Sequence, residues 1–473
     1  MKNLLLTSFF ALLLSGSSFG QNGNNRCWIL VSAGKDFTLA IKSDGTLWGW
    51  GVNVNQLGLG FAGNQSSPTQ IGTDNDWMTI SAGDDHALAI KTAGTLWSWG
   101  DGTFGQLGNG AFATATANVT QVGTGSNWAA VSAGTGFSLA LQTNGRLYTW
   151  GKNNVGQLAN NTTINTNVPG LILPTVTWSK IDAGHQHSLA ILNTGTLFAW
   201  GDNTFGQFGN STNTGSLFPL NIAAASGFLD ISAGFDHSMI LNANGSLFTA
   251  GNNTTGQLCN NSNVASNIFG MITLINGAVT PFLKISAGYG HSMVIDTNSQ
   301  LWTGGENTSG ELGLNNFTST NFLTQVGTNT NWWQISAGSD HSEILENNAD
   351  LWSAGLNLQG QLGIGSNSNS NAIVQVACPT TLANASFSNN DLQVIATPNP
   401  TTGIVKINFN LQNLSKATIK LTNTQGQLLF ETNTESTTGL QSQDIDLSNQ
   451  NSGLYFVTIN SDNGSFTSKI IKN

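Results

Sequence analysis

Ser81-Ala-Gly-Asp-Asp-His86-Ala-Leu-Ala-Ile90, the turn Ala93-Gly94 and Thr95-Leu-Trp97-Ser-Trp99-Gly100 read as strand, turn and strand. The unit recurs with a period of about 50 residues. The glycine of its Ser-Ala-Gly triplet returns at Gly34, Gly83, Gly134, Gly184, Gly234, Gly288 and Gly338, with Asp182 in the serine position of the fourth copy. Four residues before each triplet stands an aromatic: Trp28, Trp77, Trp128, Trp178, Phe228, Phe282 and Trp332. A further short run, such as Pro68-Thr69-Gln70-Ile71, precedes each aromatic, so each period holds about four strands. Seven such units around an axis predict an all-β, seven-bladed β-propeller over residues 24–378.

Working outward from the triplet, Gly51, Gly100, Gly151, Gly201, Gly251, Gly305 and Gly355 close the aromatic strand, and a Gly-Gln-Leu-Gly segment follows, as at Gly105 to Gly108 and Gly360 to Gly363. Repetition marks these as scaffold. The register also pairs two cysteines. Thr73 and Asp76, Thr124 and Asn127, and Thr328 and Asn331 flank equivalent turns; Cys378 takes the first position and Cys27 the second. Cα atoms across such a turn lie within about 7 Å, so a Cys27–Cys378 disulfide is expected, with the two chain ends together completing one blade. Cys259 falls in a Gly-Gln-Leu-Gly glycine slot and is expected to stay a free, buried thiol.

Composition narrows the functional classes. Only 8% of residues are charged, against about 25% in ordinary globular proteins, and the 56 glycines fit many short strands and turns. Residues 21–378 hold 8 Lys and Arg against 18 Asp and Glu, a difference equal to the whole chain's −10. No basic stripe or basic helix exists to grip phosphates, which argues against nucleic acid as a partner. Lys2, the apolar Leu4 to Leu14 and the small residues up to Gly20 read as a signal peptide over 1–20, and no transmembrane segment is expected.

Ser-Ala-Gly-x-x-His-Ser/Ala-Leu, Leu-Trp-x-Trp-Gly and Gly-Gln-Leu-Gly together resemble the regulator of chromosome condensation repeat, over about residues 24–378. The resemblance implies a propeller and leaves function open, because that fold hosts several. Export and an acidic propeller speak against a nuclear role.

After Cys378 the pattern stops. Residues 379–391 read as a linker, and six alternating runs between Val405 and Ile471, with turns at Gln425-Gly426 and Asn463-Gly464, predict a small β-sandwich with short edges over 392–473. Pro398-Asn399-Pro400-Thr-Thr-Gly403, Gln425-Gly426, Ser452-Gly453-Leu-Tyr455-Phe-Val457 and Ser468-Lys469-Ile-Ile-Lys472 resemble the type A C-terminal sorting domain of the type IX secretion system. That resemblance implies the secretion machinery as a partner and a secreted or outer-surface location in a Gram-negative bacterium.

The remaining chemistry has structural explanations. His86, His187, His237, His291 and His341 share a slot that carries Phe37 and Phe137 in the other two copies, which points to packing and an intrablade hydrogen bond rather than metal binding. His185 lies outside the slot and reads as an ordinary exposed residue. Asp36, Asp85, Asp236 and Asp340 precede the slot, but Gly136, Gln186 and Gly290 interrupt that ring, so they read as turn residues and not a Ca²⁺ site. No catalytic, cofactor or metal residues are assigned. Trp333, beside the register residue Trp332, points to the opposite strand face; packing between blades is the expected reading, and a partner contact there is the alternative. The expected function is therefore a secreted binding protein, not an enzyme, recognising an extracellular protein or glycan. Its contacts are expected in the connections 109–119, 160–172, 210–220, 260–274 and 314–322. The alternative is a secreted hydrolase or lyase with a site at the propeller mouth.

Overall fold

Alternating apolar residues bounded by glycine turns give strands, and the computed structural model describes them over residues 27–274, 281–379, 395–434, 437–461 and 464–472. The signal peptide, residues 24–26, residues 380–394 and Asn463 lie outside the described residues. Two compact units emerge, Met1–Cys378 and Pro379–Asn473.

The first unit contains seven four-stranded antiparallel sheets. Each blade is one consecutive stretch of chain: blade 1 runs from its inner strand Trp28–Ala33 through Phe37–Lys42 and Leu47–Gly51 to its outer strand Gln65–Gln70, and blade 7 from Trp332–Ala337 to Ser370–Val376. This corrects the expectation that the two ends share a blade. The run before each aromatic is the outer strand of the preceding blade, so the turn that follows it links blades. Cys27 and Cys378 are disulfide-bonded with Cα atoms 5.9 Å apart. Six links between consecutive blades are peptide; the disulfide occupies the place of the seventh.

Inner-strand packing explains the triplet. The Ala82 N–H donates to Ser32 Oγ of the preceding blade, and the relation repeats around the ring until the Ala33 N–H donates to Ser336 Oγ. In the fourth copy Asp182 accepts from the Ala233 N–H at 2.7 Å. A Cβ on any of the seven triplet glycines would lie 2.4–2.7 Å from the carbonyl oxygen of the next blade's glycine, so only glycine permits closure.

The histidine slot joins blades rather than serving one blade, which corrects the intrablade expectation. His86 Nε2 lies 2.9 Å from Ser138 Oγ of the next blade, and the same contact recurs at His187–Ser238, His237–Ser292, His291–Ser342 and His341–Thr38. Ser138 Oγ donates to the Gln106 carbonyl, so the Nε2–H is the donor to it. That same carbonyl accepts from Trp150 Nε1 at 2.7 Å, tying the Gly-Gln-Leu-Gly segment to the next blade's tryptophan. Cys259 is free and buried where the neighbouring blade has Gly304 in place of that tryptophan, and burial pushes its thiol pKa up to about 12.

The second unit is a sandwich of a three-stranded sheet and a four-stranded sheet around Val405, Ile407, Phe409, Ile419, Leu421, Ile445, Val457, Ile459 and Ile470. The six predicted runs are all strands, joined by a short Ile395–Thr397. Two edge strands are long, Thr437–Asp446 with 10 residues and Gly464–Lys472 with 9, which corrects the expectation of short edges throughout.

Candidate functional site

Where each inner strand ends, the residue after the triplet glycine faces the propeller axis. These seven residues are Lys35, Asp84, Thr135, His185, Phe235, Tyr289 and Ser339, and they ring a cavity of about 100 Å³ at the axial mouth. Closure fixes the glycine before it, leaving this slot free to vary. Three consecutive blades present rings here. His185 stacks on Phe235 with centroids 3.6 Å apart and planes 9° apart, and Phe235 packs on Tyr289, also at 3.6 Å. Tyr289, 42% exposed, is the accessible end of the row. His185 is half-buried, not the ordinary exposed residue expected, and its Nδ1 lies 3.8 Å from Asp236 Oδ1.

Carboxylates surround the row. Asp36, Asp85, Asp236 and Asp340 follow the axial slot by one residue, while Asp101, Asp202 and Glu306 begin the segments hydrogen-bonded to that position. Burial raises the Asp36 pKa; Lys35 opposes the rise, and Asp340, Asp84 and Asp85 add to it. Burial likewise raises Asp85, with Asp84 adding to it. Burial raises the Tyr289 phenol, with Asp236, Asp340 and Asp84 contributing, which places carboxylates from three other blades within electrostatic reach of one ring. Lys35 is the lysine on the cavity wall.

Beneath the rim, Glu311 replaces the glutamine of Gly-Gln-Leu-Gly. In blades 2 and 4 that glutamine donates to Asp101 and Asp202. In blade 6 the exchange instead brings Glu306, Glu311 and Asp340 within 4.8 Å of one another, and burial pushes Glu311 up to about 7. A neutral Glu311 relieves the crowding.

Below the mouth an axial cavity holds the serine ring, Asp182 and the ion pair Lys180–Asp230 at 2.6 Å. Asp182 is raised to about 6 by burial. Glu343 occupies a slot filled elsewhere by Leu39, Leu88, Leu139, Leu189, Met239 and Met293. Burial raises its pKa well above the usual carboxylate range, and Thr38 Oγ1 donates to it at 3.1 Å, at the seam of blades 7 and 1. It is wholly enclosed and does not face the mouth. An alignment of the seven copies marks both Glu311 and Glu343 as departures.

The connections expected to recognise a partner are more scaffold than expected. Residues 113–121, 166–172, 216–226, 266–271 and 320–325 are the outer strands. The turns before several of them hang on one buried asparagine, two residues after the strand-closing glycine: Asn203 Nδ2 donates to the Thr212 and Thr214 carbonyls, and Asn253, Asn307 and Asn357 do the same in their blades. Trp333 is 51% exposed because the inner strand bulges after Trp332; it lies at the opposite end of that strand from the mouth, beneath Lys284 at 5.6 Å.

In the second unit the residues expected to carry sorting converge. Asn399 Nδ2 donates to the Lys469 carbonyl at 2.7 Å and its Oδ1 accepts from the Ile471 N–H, so the Pro398–Pro400 turn is pinned to the last strand. Leu447 N–H donates to the Gly403 carbonyl, Tyr455 Oη donates to the Asn451 carbonyl at 2.6 Å, and Lys472 Nζ donates to the Ser448 and Gln450 carbonyls. Gly426 sits at φ +77° in its turn. Gly453 begins the strand that carries Tyr455.

Fold and site together define a seven-bladed propeller with an acidic, aromatic axial mouth, followed by a small sandwich. The RCC1-like domain model matches residues 15–269, more than half the chain, and the protein belongs to that family. The secretion system C-terminal sorting domain matches residues 397–473, which directs the protein through the type IX system to the cell surface or outside. Comparison with curated proteins gives no match. Among solved structures, human WBSCR16 is 23% identical, over 68% of this chain and 87% of that one, with a TM-score of 0.61. Yeast RCC1 (Prp20), solved with Kap60 bound, is 18% identical over 79% and 88%, with a TM-score of 0.63. At such identities the likeness concerns the fold alone. Among the described residues no helix is long and apolar enough to cross a membrane.

Proposed function

We propose that residues 24–378 form a secreted binding module that recognises an extracellular partner at its axial mouth, while residues 392–473 serve only as the export address. One observation carries the reading. On a scaffold whose repeated positions are fixed by closure, the seven axial residues differ almost completely, and three of them assemble a stacked aromatic row among carboxylates. The mouth hydroxyls of Thr135 and Ser339 donate to the carboxylates of Asp84 and Asp340, while His185 lies beside Gln186 and Asp236, so among the described residues no hydroxyl–histidine pair is assembled there, which favours binding over hydrolysis or elimination. The address role rests on Pro398, Asn399, Pro400, Gly403, Gly426, Gly453, Tyr455, Lys469 and Lys472, of which Asn399, Gly403, Tyr455, Lys469 and Lys472 take part in the hydrogen bonds that tie the sandwich's turns to its strands.

One deletion tests both halves. Without residues 392–473 the propeller is expected to accumulate folded in the periplasm and, once purified, to retain the partner that the full-length protein captures. Unchanged extracellular yield would contradict the address; loss of the partner would contradict the assignment of recognition to the propeller.

A further inference from the structure

We propose that the axial mouth binds a basic peptide segment, seating an arginine or lysine side chain against Tyr289 among the carboxylates of Asp84, Asp236 and Asp340. This deepens the reading of the mouth as the recognition surface and rests on it.

Three observations converge. The first is geometric. The mouth is concave, and Tyr289 ends a row of rings whose inner members cover each other at 3.6 Å, so Tyr289 is the ring that offers area to a ligand. A cation over a tyrosine ring is attracted by its π-face, by about 0.5–1 kcal/mol at exposed sites and more when desolvated.

The second is the distribution of charge. Away from the mouth, four carboxylates have a lysine beside them: Lys42 pairs with Asp44, Lys91 with Asp74 and Asp76, and Lys180 with Asp230. At the mouth, Asp84, Asp236 and Asp340 all act on Tyr289, with Lys35 as the opposing cation. A concave, single-sign surface focuses its field on approaching ligands of the opposite sign.

The third is the like charge gathered around Asp36, with Lys35 opposing it. Burial is the main cause that raises Asp36; Lys35 opposes the rise, and Asp340, Asp84 and Asp85 add to it. An incoming cation lowers that cost, whereas a neutral sugar stacked on Tyr289 leaves it in place. The preference for a cationic peptide over a glycan follows from this difference.

The test uses the full-length protein and a fluorescent arginine-rich peptide, with its citrulline counterpart as the uncharged isostere and a neutral oligosaccharide as the glycan probe. The arginine peptide is expected to bind, to weaken with added salt, and to lose affinity about tenfold or more on replacement by citrulline and in Tyr289→Ala and Asp340→Asn. Trp333→Ala, on the opposite face, is expected to bind like the parent. Matching thermal melts establish that the variants are folded. Absence of arginine-peptide binding, equal binding of the citrulline peptide, or indifference to both mouth variants would overturn the proposal. Tyr289-dependent binding of the oligosaccharide without peptide binding would overturn the cationic inference while leaving the mouth as the recognition surface. If Tyr289→Ala and Asp340→Asn also capture the natural partner undiminished, the underlying reading fails with it.

Discussion

Replacing Cys27 and Cys378 together with serine is expected to destabilise the propeller by about 5 kcal/mol, read as a lower denaturation midpoint for the propeller transition with the sandwich transition unmoved. The bond spans 351 residues of sequence. In the chain-entropy model a loop of that length places a large restriction on the unfolded chain, and serine removes it; at position 27 it also places a hydroxyl in the cluster of Trp28, Trp50 and Val376, which adds to the loss. The folded ring keeps its other closing contacts: the Ala33 N–H to Ser336 Oγ and the approach of Thr38 to His341 across the same seam. The double variant is therefore expected to fold but to open first between blades 7 and 1. Reducing agent alone should reproduce the effect. An unchanged midpoint would show that these inter-blade contacts, and not the covalent link, close the ring.

Acid is expected to unfold the propeller cooperatively below about pH 5, because five buried histidines must then take protons. Burial lowers His86, His237 and His341 to about 3 and His187 and His291 to about 4. A lowered folded-state pKa contributes stability that is complete above the unfolded value of 6.5 and is lost as pH falls from there toward 3–4. At pH 5 each histidine accounts for about 2 kcal/mol of loss. Asp182, Glu311 and Glu343 act in the opposite direction: raised in the fold, they destabilise it near neutrality and cease to do so as they protonate. Their gain ends near the ordinary carboxylate pKa while the histidine loss continues, so the histidines win at low pH. A specific variant isolates one group. His86→Phe with Ser138→Ala copies the pairing of Phe37 with Ala87 across blades 1 and 2, and it leaves the Gln106 carbonyl satisfied by Trp150. It should reduce the proton uptake on unfolding by about one and gain about 2 kcal/mol on the parent at pH 5. An identical pH slope would contradict the assignment.

The fold was legible because closure imposes the same residue at the same place in every blade. Glycine at the ring and the aromatic at the strand start recur in all seven blades, serine behind the ring in six and the histidine slot in five, and repetition exposes them in one sequence. Blade boundaries were less legible, since a repeat does not announce where it begins. Hydrogen bonding assigns Gln65–Gln70 to the blade before it, a pairing that alternation alone does not reveal. The mouth was hidden for the opposite reason. His185, Phe235 and Tyr289 are about 50 residues apart, each follows a turn glycine, and each alone reads as an unremarkable turn residue; only seven-fold closure brings them to 3.6 Å. Comparing the slot after the triplet glycine across copies is the reading that finds them. The buried asparagine after the strand-closing glycine shows the converse error: its repetition was visible, and it converts segments read as free recognition loops into tethered turns.

Recognition at the axial mouth is tested most directly by photo-crosslinking from single positions in the exported protein. A photoreactive residue replacing Tyr289 is expected to form a covalent adduct with the partner on the producing cells, while the same residue at Val264 in an outer turn or at Trp333 on the opposite face gives none. Adducts from position 264 or 333, with none from 289, would contradict the account.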